Sequence, residues 1–263
     1  MMPPRGVVFA CVALTCCCHA LAGPSFQAAD MIALVRMRAD DLPLPDVSKT
    51  TTSDLGPVWA LPLRASFTPD AIRTPGDPRP YRHGVHQGTD FYGVGIGEPV
   101  YPAATGFVIR ADVEYTRTTP VTRRAMLTRC RAVGATPGEY GVAADPRYGD
   151  ILDKLRGRQV WLYHGDTEDG VPVLSVYAHL SGVEPLHLGE YVGPDRQIGA
   201  VGNTGTSEEG TDGGAHLHME VYVGERYWSP REPEELGHVP PSARRRELRE
   251  ATLRALGWSP ADG

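Results

Sequence analysis

The stretch Gly214-Ala215-His216-Leu217-His218-Met219-Glu220-Val221-Tyr222-Val223 decides the fold of this chain. Its apolar residues alternate with ionisable or aromatic ones, and a period of two is typical of a β-strand. On a strand, His216 and His218 project from the same face with their Cα atoms about 6.5–7 Å apart, and Glu220 follows on that face. The opposite face is purely apolar. Because a hydrophobic core has no use for such a row of ionisable groups, we predict a metal site on this strand.

The rest of the chain has the composition of a turn-rich β protein. Its 263 residues are 41% hydrophobic, enough for one sizeable core or two small ones, and its 30 glycines and 24 prolines are high for a helical protein. Short β-like runs separated by glycine-containing turns occur at Phe107–Val113, Gln159–Tyr163, Val173–His179 and His216–Val223. We therefore predict a mainly β fold. The net charge of −6 is mild and no basic stripe crosses the central region, so the composition argues against nucleic acid as a partner.

The first 22 residues have the pattern of a signal peptide. Arg5 precedes an almost wholly apolar run over residues 6–18, and Ala20-Leu21-Ala22 supplies small residues at the cleavage positions. An uncleaved anchor helix is the alternative, but the run is too short to span a bilayer comfortably. Three consecutive cysteines also suggest lipid anchoring, although Cys16 stands where a lipobox prefers a small residue. We predict export to the periplasm or cell envelope, with 1–22 removed.

The remaining residues divide into three segments that differ in composition and in the pattern of apolar residues. The predicted segments are an N-terminal helix and linker at 23–57, a β-rich domain at 58–232 with an insertion at 118–157, and a C-terminal helical tail at 233–263. Helical signals occur at Ala28–Met37, Val121–Val133 and Ile151–Leu155. In the tail, Ser242 has the side chain of an N-cap and precedes a modest apolar stripe.

A second cluster of candidate ligands lies in His86-Gln87-Gly88-Thr89-Asp90. A flat strand would hold the Cα atoms of His86 and Asp90 about 13 Å apart, whereas bonds from ligand to metal are only about 2.0–2.2 Å. The chain must therefore bend, and Gly88 permits a bulge or kink. The pair is weak evidence alone. Combined with His216-x-His218, it makes a ligand set suited to zinc, with a fourth position left for water.

A third histidine, His179, is the last residue of the β-like run that begins at Val173. Alternation predicts one face made of Leu174, Val176, Ala178 and Leu180. The same alternation places Tyr177 and His179 together on the other face. A surface histidine on an edge strand is the alternative interpretation of this segment.

Together these motifs resemble those of the LytM/lysostaphin-type zinc metallopeptidases, family M23, over roughly residues 58–232. The matching segments are His86-Gln87-Gly88-Thr89-Asp90, Glu98-Pro99-Val100-Tyr101-Pro102-Ala103, Gly106-Phe107-Val108, Tyr177-Ala178-His179-Leu180, Gly202-Asn203-Thr204-Gly205-Thr206-Ser207 and His216-Leu217-His218-Met219-Glu220. The resemblance implies an antiparallel-sheet domain with its site in an open groove above the central sheet. It also implies an endopeptidase that acts on the peptides of bacterial peptidoglycan.

By this resemblance the metal is Zn²⁺, and its ligands are His86, Asp90 and His218. The resemblance implies His179 and His216 as the catalytic pair beside the metal. This division agrees with a catalytic zinc that takes three protein ligands plus water. A neutral imidazole can accept the proton of that water, and an imidazole N–H can stabilise the developing oxyanion, but the sequence does not divide these tasks between the two histidines. The chain contains no His-Glu-x-x-His motif, so it is not a thermolysin-type peptidase.

Several other residues have two interpretations each. Glu220 either orients a ligand or is a solvated strand residue, and Tyr81 or Arg82 could face the substrate. The acidic spacer at 207–214 could favour cationic groups of a substrate through Glu208, Glu209 and Asp212. The insertion either walls the groove or packs elsewhere. We interpret a further set as surface, packing or turn residues: His83, His164, His187, His238, Asn203 and Cys130.

Three hypotheses for function follow from the sequence. The first is an exported zinc endopeptidase that hydrolyses peptidoglycan stem or cross-link peptides. The second is a non-catalytic wall-binding regulator of another hydrolase, against which the complete ligand set argues. The third is a phosphocarrier with paired histidines, against which the export signal and Asp90 argue. The oligomeric state is not predicted.

Overall fold

The computed structural model describes residues 24–36, 55, 59–133 and 146–259. The predicted signal peptide, most of the predicted linker and the middle of the predicted insertion lie outside these residues. Within them, short antiparallel strands predominate and four α-helices lie before, between and after the strands. The mainly β prediction is therefore confirmed.

The strands and helices have the following bounds. The strands are β1 (Ile72–Arg73), β2 (Pro78–Arg79), β3 (Gly84–Val85), β4 (Thr89–Phe91), β5 (Pro99–Val100), β6 (Gly106–Ala111), β7 (Val160–Asp166), β8 (Pro172–Ala178), β9 (Gly182–Val183), β10 (Tyr191–Val192), β11 (Gly199–Ala200), β12 (Leu217–Val223) and β13 (Arg226–Tyr227). The α-helices are α1 (Pro24–Arg36), α2 (Pro120–Val133), α3 (Pro146–Arg156) and α4 (Ser242–Ala255). Short 3₁₀ turns occupy Pro69–Ala71, Pro80–Arg82 and Pro233–Glu235.

One antiparallel sheet of eight strands carries the candidate site. Its order is β1-β4-β12-β8-β7-β6-β10, and β13 pairs with β12 at one end of that strand. The four predicted β-like runs correspond to β6, β7, β8 and β12. Strand β12 therefore lies inside the sheet, between β4 and β8, which explains why one of its faces can be wholly apolar. A smaller sheet, β5-β11-β9, and the hairpin β2-β3 complete the strand pairings.

One face of the main sheet packs on the principal hydrophobic core. The apolar side chains of β12, Leu217, Met219 and Val221, are almost fully buried there. Trp59 from the start of the domain and Leu253 from α4 pack into the same core. The removal of this apolar surface from water is the main source of stability for the sheet.

The opposite face of the sheet carries an apolar cluster at one end and ionisable side chains at the other. At one end, Val176 and Tyr222 belong to a second apolar cluster that Ile32 and Val35 of α1 cover. The register of the sheet pairs Glu220 with Val176 on neighbouring strands, so the ionisable groups of β12 continue along this same face. The candidate site lies beyond the end that α1 covers.

The inserted helices form a small cluster of their own. Helices α2 and α3 lie between β6 and β7 in the chain, and they pack together through Met126, Cys130, Ile151 and Leu152. Cys130 is a buried packing residue, as predicted. Among the described residues, none of the helices combines the length and apolar character needed to cross a bilayer.

The start of the C-terminal helix differs from the prediction by one residue. Ser242 is the first residue of α4, whereas Pro241 holds the N-cap position with extended backbone and no capping side chain. The carbonyl of Pro241 accepts the first intrahelical bond, from the N–H of Arg245. The predicted N-cap role of Ser242 is therefore wrong: the proline preceding it already has extended backbone (ψ 155°), so the helix begins directly after that residue.

Candidate metal centre

Strand register brings Asp90 and His218 side by side. The two residues are direct Cα partners across the β4–β12 pairing, so their side chains leave the same face of the sheet. His86 joins them from the segment between β3 and β4. Although 132 positions separate His86 from His218 in the chain, their ring centroids are only 4.9 Å apart.

Gly88 allows the segment that carries His86 to approach β12 closely. A Cβ atom at this position would lie 2.4 Å from the carbonyl oxygen of Met219 and 2.9 Å from the ring of His218. The sequence predicts that the chain bends at Gly88. The structure shows that the main requirement for glycine is this backbone contact, because the φ of Gly88 is not positive.

His86, Asp90 and His218 form a compact triangle of potential ligand atoms. The Nε2 atom of His86 lies 2.9 Å from Oδ1 of Asp90 and 3.0 Å from Nδ1 of His218, and the third side measures 2.7 Å. All three residues are buried. Zinc bonds of about 2.0–2.2 Å in tetrahedral geometry separate ligand atoms by about 3.4 Å. A small outward shift of each atom would therefore fit the triangle to one ion.

Hydrogen bonds at the far ring nitrogens direct the lone pairs of the neutral His86 and His218 rings into the triangle. Nδ1–H of His86 donates to the carbonyl oxygen of Thr74 at 2.9 Å, which leaves Nε2 as the acceptor. Nε2–H of His218 donates to Oε1 of Glu220 at 2.8 Å, so in the neutral ring that binds a metal Nδ1 carries the lone pair. Such outer partners fix tautomer and ring orientation at metal sites. The ligand-orienting interpretation of Glu220 therefore fits the structure, whereas a solvated strand residue does not.

The triangle has the charge distribution expected of a cation site. Burial and the nearby Arg79 lower the pKa of His86 to about 4, so this imidazole is neutral at ordinary pH. Burial raises the pKa of Asp90, but the neighbouring His86 and His218 outweigh it and hold that pKa well below its usual range. Burial lowers the pKa of His218, but its bonds to Asp90 and Glu220 outweigh this and raise it. The carboxylates of Asp90 and Glu220 thus compensate a positive charge on the buried His218. A bound cation could supply that positive charge in place of the proton.

Two arginines that the sequence analysis missed support these carboxylates. Arg156, the last residue of α3, donates to both oxygens of Glu220 at 2.7 Å, and Tyr222 donates to Oε2 at 2.6 Å. Arg79 donates to Oδ2 of Asp90 at 3.0 Å, so that Oδ1 is the oxygen that faces the histidines. No motif signalled either arginine, because Arg156 lies 64 positions from Glu220 in the chain, and Arg79, on β2, reaches Asp90 only when the β2–β3 hairpin has folded.

His179 and His216 lie beside the triangle. Their ring centroids are 4.7 Å apart, and that of His179 is 5.5 Å from that of His218. Nδ1–H of His179 donates to the carbonyl of Thr204 at 2.7 Å, and Nδ1–H of His216 donates to that of Gly214 at 2.8 Å. In the neutral tautomers that these bonds favour, Nε2 of each ring carries the lone pair. The sheet thus brings together all five residues predicted for the site.

The route by which His179 reaches the site differs from the prediction. Tyr177 lies in the hydrophobic core on the other side of the sheet, where its hydroxyl accepts a bond from the N–H of Ala103. Strand β8 ends at Ala178, and His179 adopts left-handed backbone with φ of 62°. This turn reverses the side on which the side chain emerges, so the prediction that His179 shares a face with Tyr177 is wrong.

Most of the secondary candidates have structural contacts. Arg82 is buried against the carbonyl of Val85 and the side chain of Gln87, whereas Tyr81 is exposed at the rim of the groove. Asn203 donates to three carbonyls of the loop that follows it, as a turn residue does. His83, His187 and His238 are exposed, as predicted for surface residues. His164 is a buried packing residue that bonds to Thr105 and Ser175.

An open groove of about 580 Å³ contains the five histidine and aspartate side chains. One of its walls comes from the inserted helices, which contribute Arg123, Leu127, Leu152 and Leu155. The insertion therefore walls the groove, which decides between the two alternatives raised by the sequence. The acidic spacer contributes less than expected. The carboxylate of Glu209 is buried and accepts bonds from the N–H of Gly205 and the hydroxyl of Tyr115, so it cannot face a substrate.

One family model matches the part of the chain that carries His179, His216 and His218. The model of peptidase family M23 matches residues 143–230, a range that does not include His86 and Asp90. A search among curated proteins found no match.

Solved structures with some likeness to this chain include three from longer proteins. They are a zinc containing peptidase from Vibrio cholerae (21% identity, TM-score 0.33, 67% of this chain and 37% of that one), lysostaphin (23%, 0.31, 58% and 43%) and Csd3 from Helicobacter pylori (19%, 0.35, 78% and 43%). The chain thus spans less than half the length of each of these three proteins, and no conclusion follows from scores this low. The family match is the informative comparison: the model that matches residues 143–230 is that of peptidase family M23, the family whose motifs the sequence resembles.

Proposed function

We propose that this protein is an exported zinc endopeptidase that hydrolyses peptide bonds in the stem or cross-link peptides of peptidoglycan. The triangle of His86, Asp90 and His218, with two further histidines against it, is the observation that carries the proposal. The match to a peptidase family supports hydrolysis of a peptide bond. Peptidoglycan as the substrate and zinc as the metal follow from the resemblance of the motifs.

The donor set fits zinc. Two imidazole nitrogens and one carboxylate oxygen are a ligand combination that zinc accepts in catalytic sites, where a fourth position stays open. A zinc ion bound there would polarise the scissile carbonyl and lower the pKa of a bound water to about 7. His86, Asp90 and His218 would hold the ion, and Glu220 and Thr74 keep the two histidine ligands in the required tautomers.

His179 and His216 supply proton acceptors in this proposal. Each ring donates Nδ1–H to a backbone carbonyl, so Nε2 is free to take a proton from the attacking water. An imidazole that has gained this proton becomes an Nε2–H donor, which can pass the proton to the leaving amine or stabilise the oxyanion. The ring of Tyr92, stacked on His216 at 4.6 Å between centroids, restricts the orientation of that imidazole.

Digestion of purified cell wall by the zinc-loaded protein tests the proposal. Mass spectrometry of the released peptides should show new termini at one kind of peptide bond, and a chelator should abolish them. His218→Ala should lose both activity and bound zinc, whereas His187→Ala, at an exposed site, should lose neither. Binding to the wall without release of peptides by a folded, zinc-loaded protein would favour the regulator hypothesis and contradict the proposed enzyme.

Export is a separate proposal that rests on residues 1–22. Expression of the full chain in a bacterial host, followed by cell fractionation, should recover the protein from the envelope or periplasm. N-terminal sequencing should then show cleavage after Ala22. Recovery of an intact chain from the cytosol would count against export.

A further inference from the structure

Two arginines line the groove that contains the histidine pair. Arg73 of β1 has its guanidinium 5.6 Å from the ring centroid of Tyr92, which in turn stacks on His216. Arg123 of α2 donates Nε–H to the carbonyl of Gly205, the residue after the one that holds His179. Both side chains line the groove. Arg73 also donates through Nη1 to the backbone carbonyls of Asp70 and Ile72. A guanidinium has five N–H donors in all, so these contacts occupy only part of the donors of each arginine.

Most carboxylates of the groove are already engaged. Asp90 lies between the two ligand histidines and Arg79, and Glu220 is paired with Arg156 and His218. Glu208 is the exposed carboxylate of the groove, and Ser207 donates to its Oε2 at 2.8 Å. The charges of Arg73 and Arg123 therefore exceed the carboxylate charge left to oppose them, and a divalent metal would add to this excess.

We propose that the groove selects peptides that bear a free carboxylate near the bond to be cut, and that Arg73 and Arg123 bind it. The proposal rests on the proposed peptidase function and names the chemistry of its substrate. A guanidinium pairs with a carboxylate through two parallel N–H···O bonds, which gives direction as well as charge. This selectivity is opposite to that expected from the acidic spacer, because Glu209 of that spacer is turned inward.

The test compares two synthetic peptidoglycan stem peptides that differ only in charge. One has its carboxylates free, and the other has them converted to carboxamides. Fluorescence anisotropy of the labelled peptides measures their dissociation constants for the full chain, kept metal-free by a chelator so that no bond is cut. We expect the carboxylate peptide to bind about tenfold more tightly, as charge-assisted hydrogen bonds at a partly exposed site allow.

Three substitutions locate the effect. Arg73→Gln and Arg123→Gln should each reduce the preference for the carboxylate peptide, and the double variant should abolish it. Arg124→Gln is the matched control, because Arg124 is the next residue of α2, is exposed and does not line the groove. Glu208→Gln should increase the preference, because it removes the competing carboxylate.

Each variant is judged by the ratio of its affinities for the two peptides, which distinguishes loss of the binding site from failure to fold. A variant that fails to fold loses both peptides, whereas loss of the proposed site removes only the difference between them. Equal affinities for the two peptides, tighter binding of the carboxamide, or no binding of either would each overturn the inference. If the carboxylate peptide binds selectively but the zinc-loaded protein does not cleave it, the proposed peptidase function fails and the binding site stands.

Discussion

The two faces of the central sheet both bury histidines, but in opposite electrostatic surroundings. On the groove face, His218 lies between the carboxylates of Asp90 and Glu220, and their hydrogen bonds outweigh burial and raise its pKa. On the core face, His164 contacts the carbonyl of Thr105 and the hydroxyl of Ser175, and burial lowers its pKa to about 4. Histidine thus contributes to a candidate cation site on one face of the sheet and packs as an uncharged ring on the other.

His218 and His164 differ in the groups that each ring contacts, not in how deeply each ring is buried. His164 is buried among neutral partners and stays uncharged, because nothing nearby compensates a positive charge. A buried imidazole between carboxylates is part of a site that can hold positive charge, whether a proton or a metal ion. Substitutions on the groove face should therefore change metal binding, and those on the core face should change stability alone.

The largest effect is expected for Asp90→Asn on the groove face. The substitution keeps the shape of the side chain but removes the charge that the cation needs. The dissociation constant for zinc should rise by more than the roughly 100-fold that loss of an outer partner costs, and cleavage should fall to background. Competition with a chromophoric chelator measures the affinity. Asp70→Asn, at an exposed carboxylate that pairs with Arg249, should leave zinc affinity unchanged; tight zinc binding by Asp90→Asn would show that Asp90 is not a ligand.

A large effect on both stability and metal binding is expected for Arg156→Met. It leaves the buried carboxylate of Glu220 without its bidentate partner, which should lower the free energy of unfolding by about 3–5 kcal/mol. The paired change Arg156→Met with Glu220→Leu should regain most of that stability. It should still weaken zinc binding by about 10–100-fold, because Nε2 of His218 loses its acceptor.

Lys154→Met, at an exposed position of the same helix, is the control for the loss of a basic residue from α3. Urea unfolding and zinc titration are the two measurements. Wild-type zinc affinity in the folded double variant would mean that the contact between Arg156, Glu220 and His218 is structural only.

On the core face, His164 should make stability depend on pH. Its folded pKa of about 4 lies below the unfolded value of 6.5, so the unfolded chain binds the extra proton between these pH values. Stability is therefore lost as pH falls from about 6.5 to about 4, by about 3 kcal/mol from this residue. In urea unfolding of the metal-free protein, His164→Gln should flatten the decline by that amount, whereas His187→Gln, at the surface, should not. An equal slope in wild type and His164→Gln would refute the assignment.

The smallest effect is expected for Ser175→Ala, beneath the same sheet. Ser175 lies 2.7 Å from Nε2 of His164, and its removal leaves that buried nitrogen without a partner. The free energy of unfolding should fall by about 1–3 kcal/mol. Zinc affinity should stay within about twofold of wild type, because contacts on the core face do not orient any ligand. A larger change in zinc affinity would mean that the two faces are coupled through the sheet.

The sequence predicted what short-range patterns control. Alternation along His216–Val223 indicated which face carries the histidines, and the spacing of His86 and Asp90 required a bend near Gly88. These inferences succeeded because the side-chain direction on a strand follows from position alone. The resemblance of the motifs then supplied the division into ligands and catalytic histidines, whose roles stay predictions.

The rest depends on contacts that no local pattern encodes. Arg156 meets Glu220 only after the inserted helix folds back on the sheet, and Arg79 meets Asp90 through the β2–β3 hairpin and its neighbours. The position of His179 depends on one left-handed residue, which alternation cannot anticipate. The inward turn of Glu209 likewise depends on the packing of its loop against Tyr115.

The packing of α4 determines where the chain could be shortened. Leu253 and Leu256 are almost fully buried against the core that underlies the metal centre, and a side chain at Gly257 would collide with the carbonyl of Trp59. A truncated version that ends near residue 232 would expose the underside of the sheet to water. Any minimal fragment that keeps the candidate site must therefore extend to Trp258, since the helix closes the hydrophobic base beneath the strands that carry Asp90 and His218.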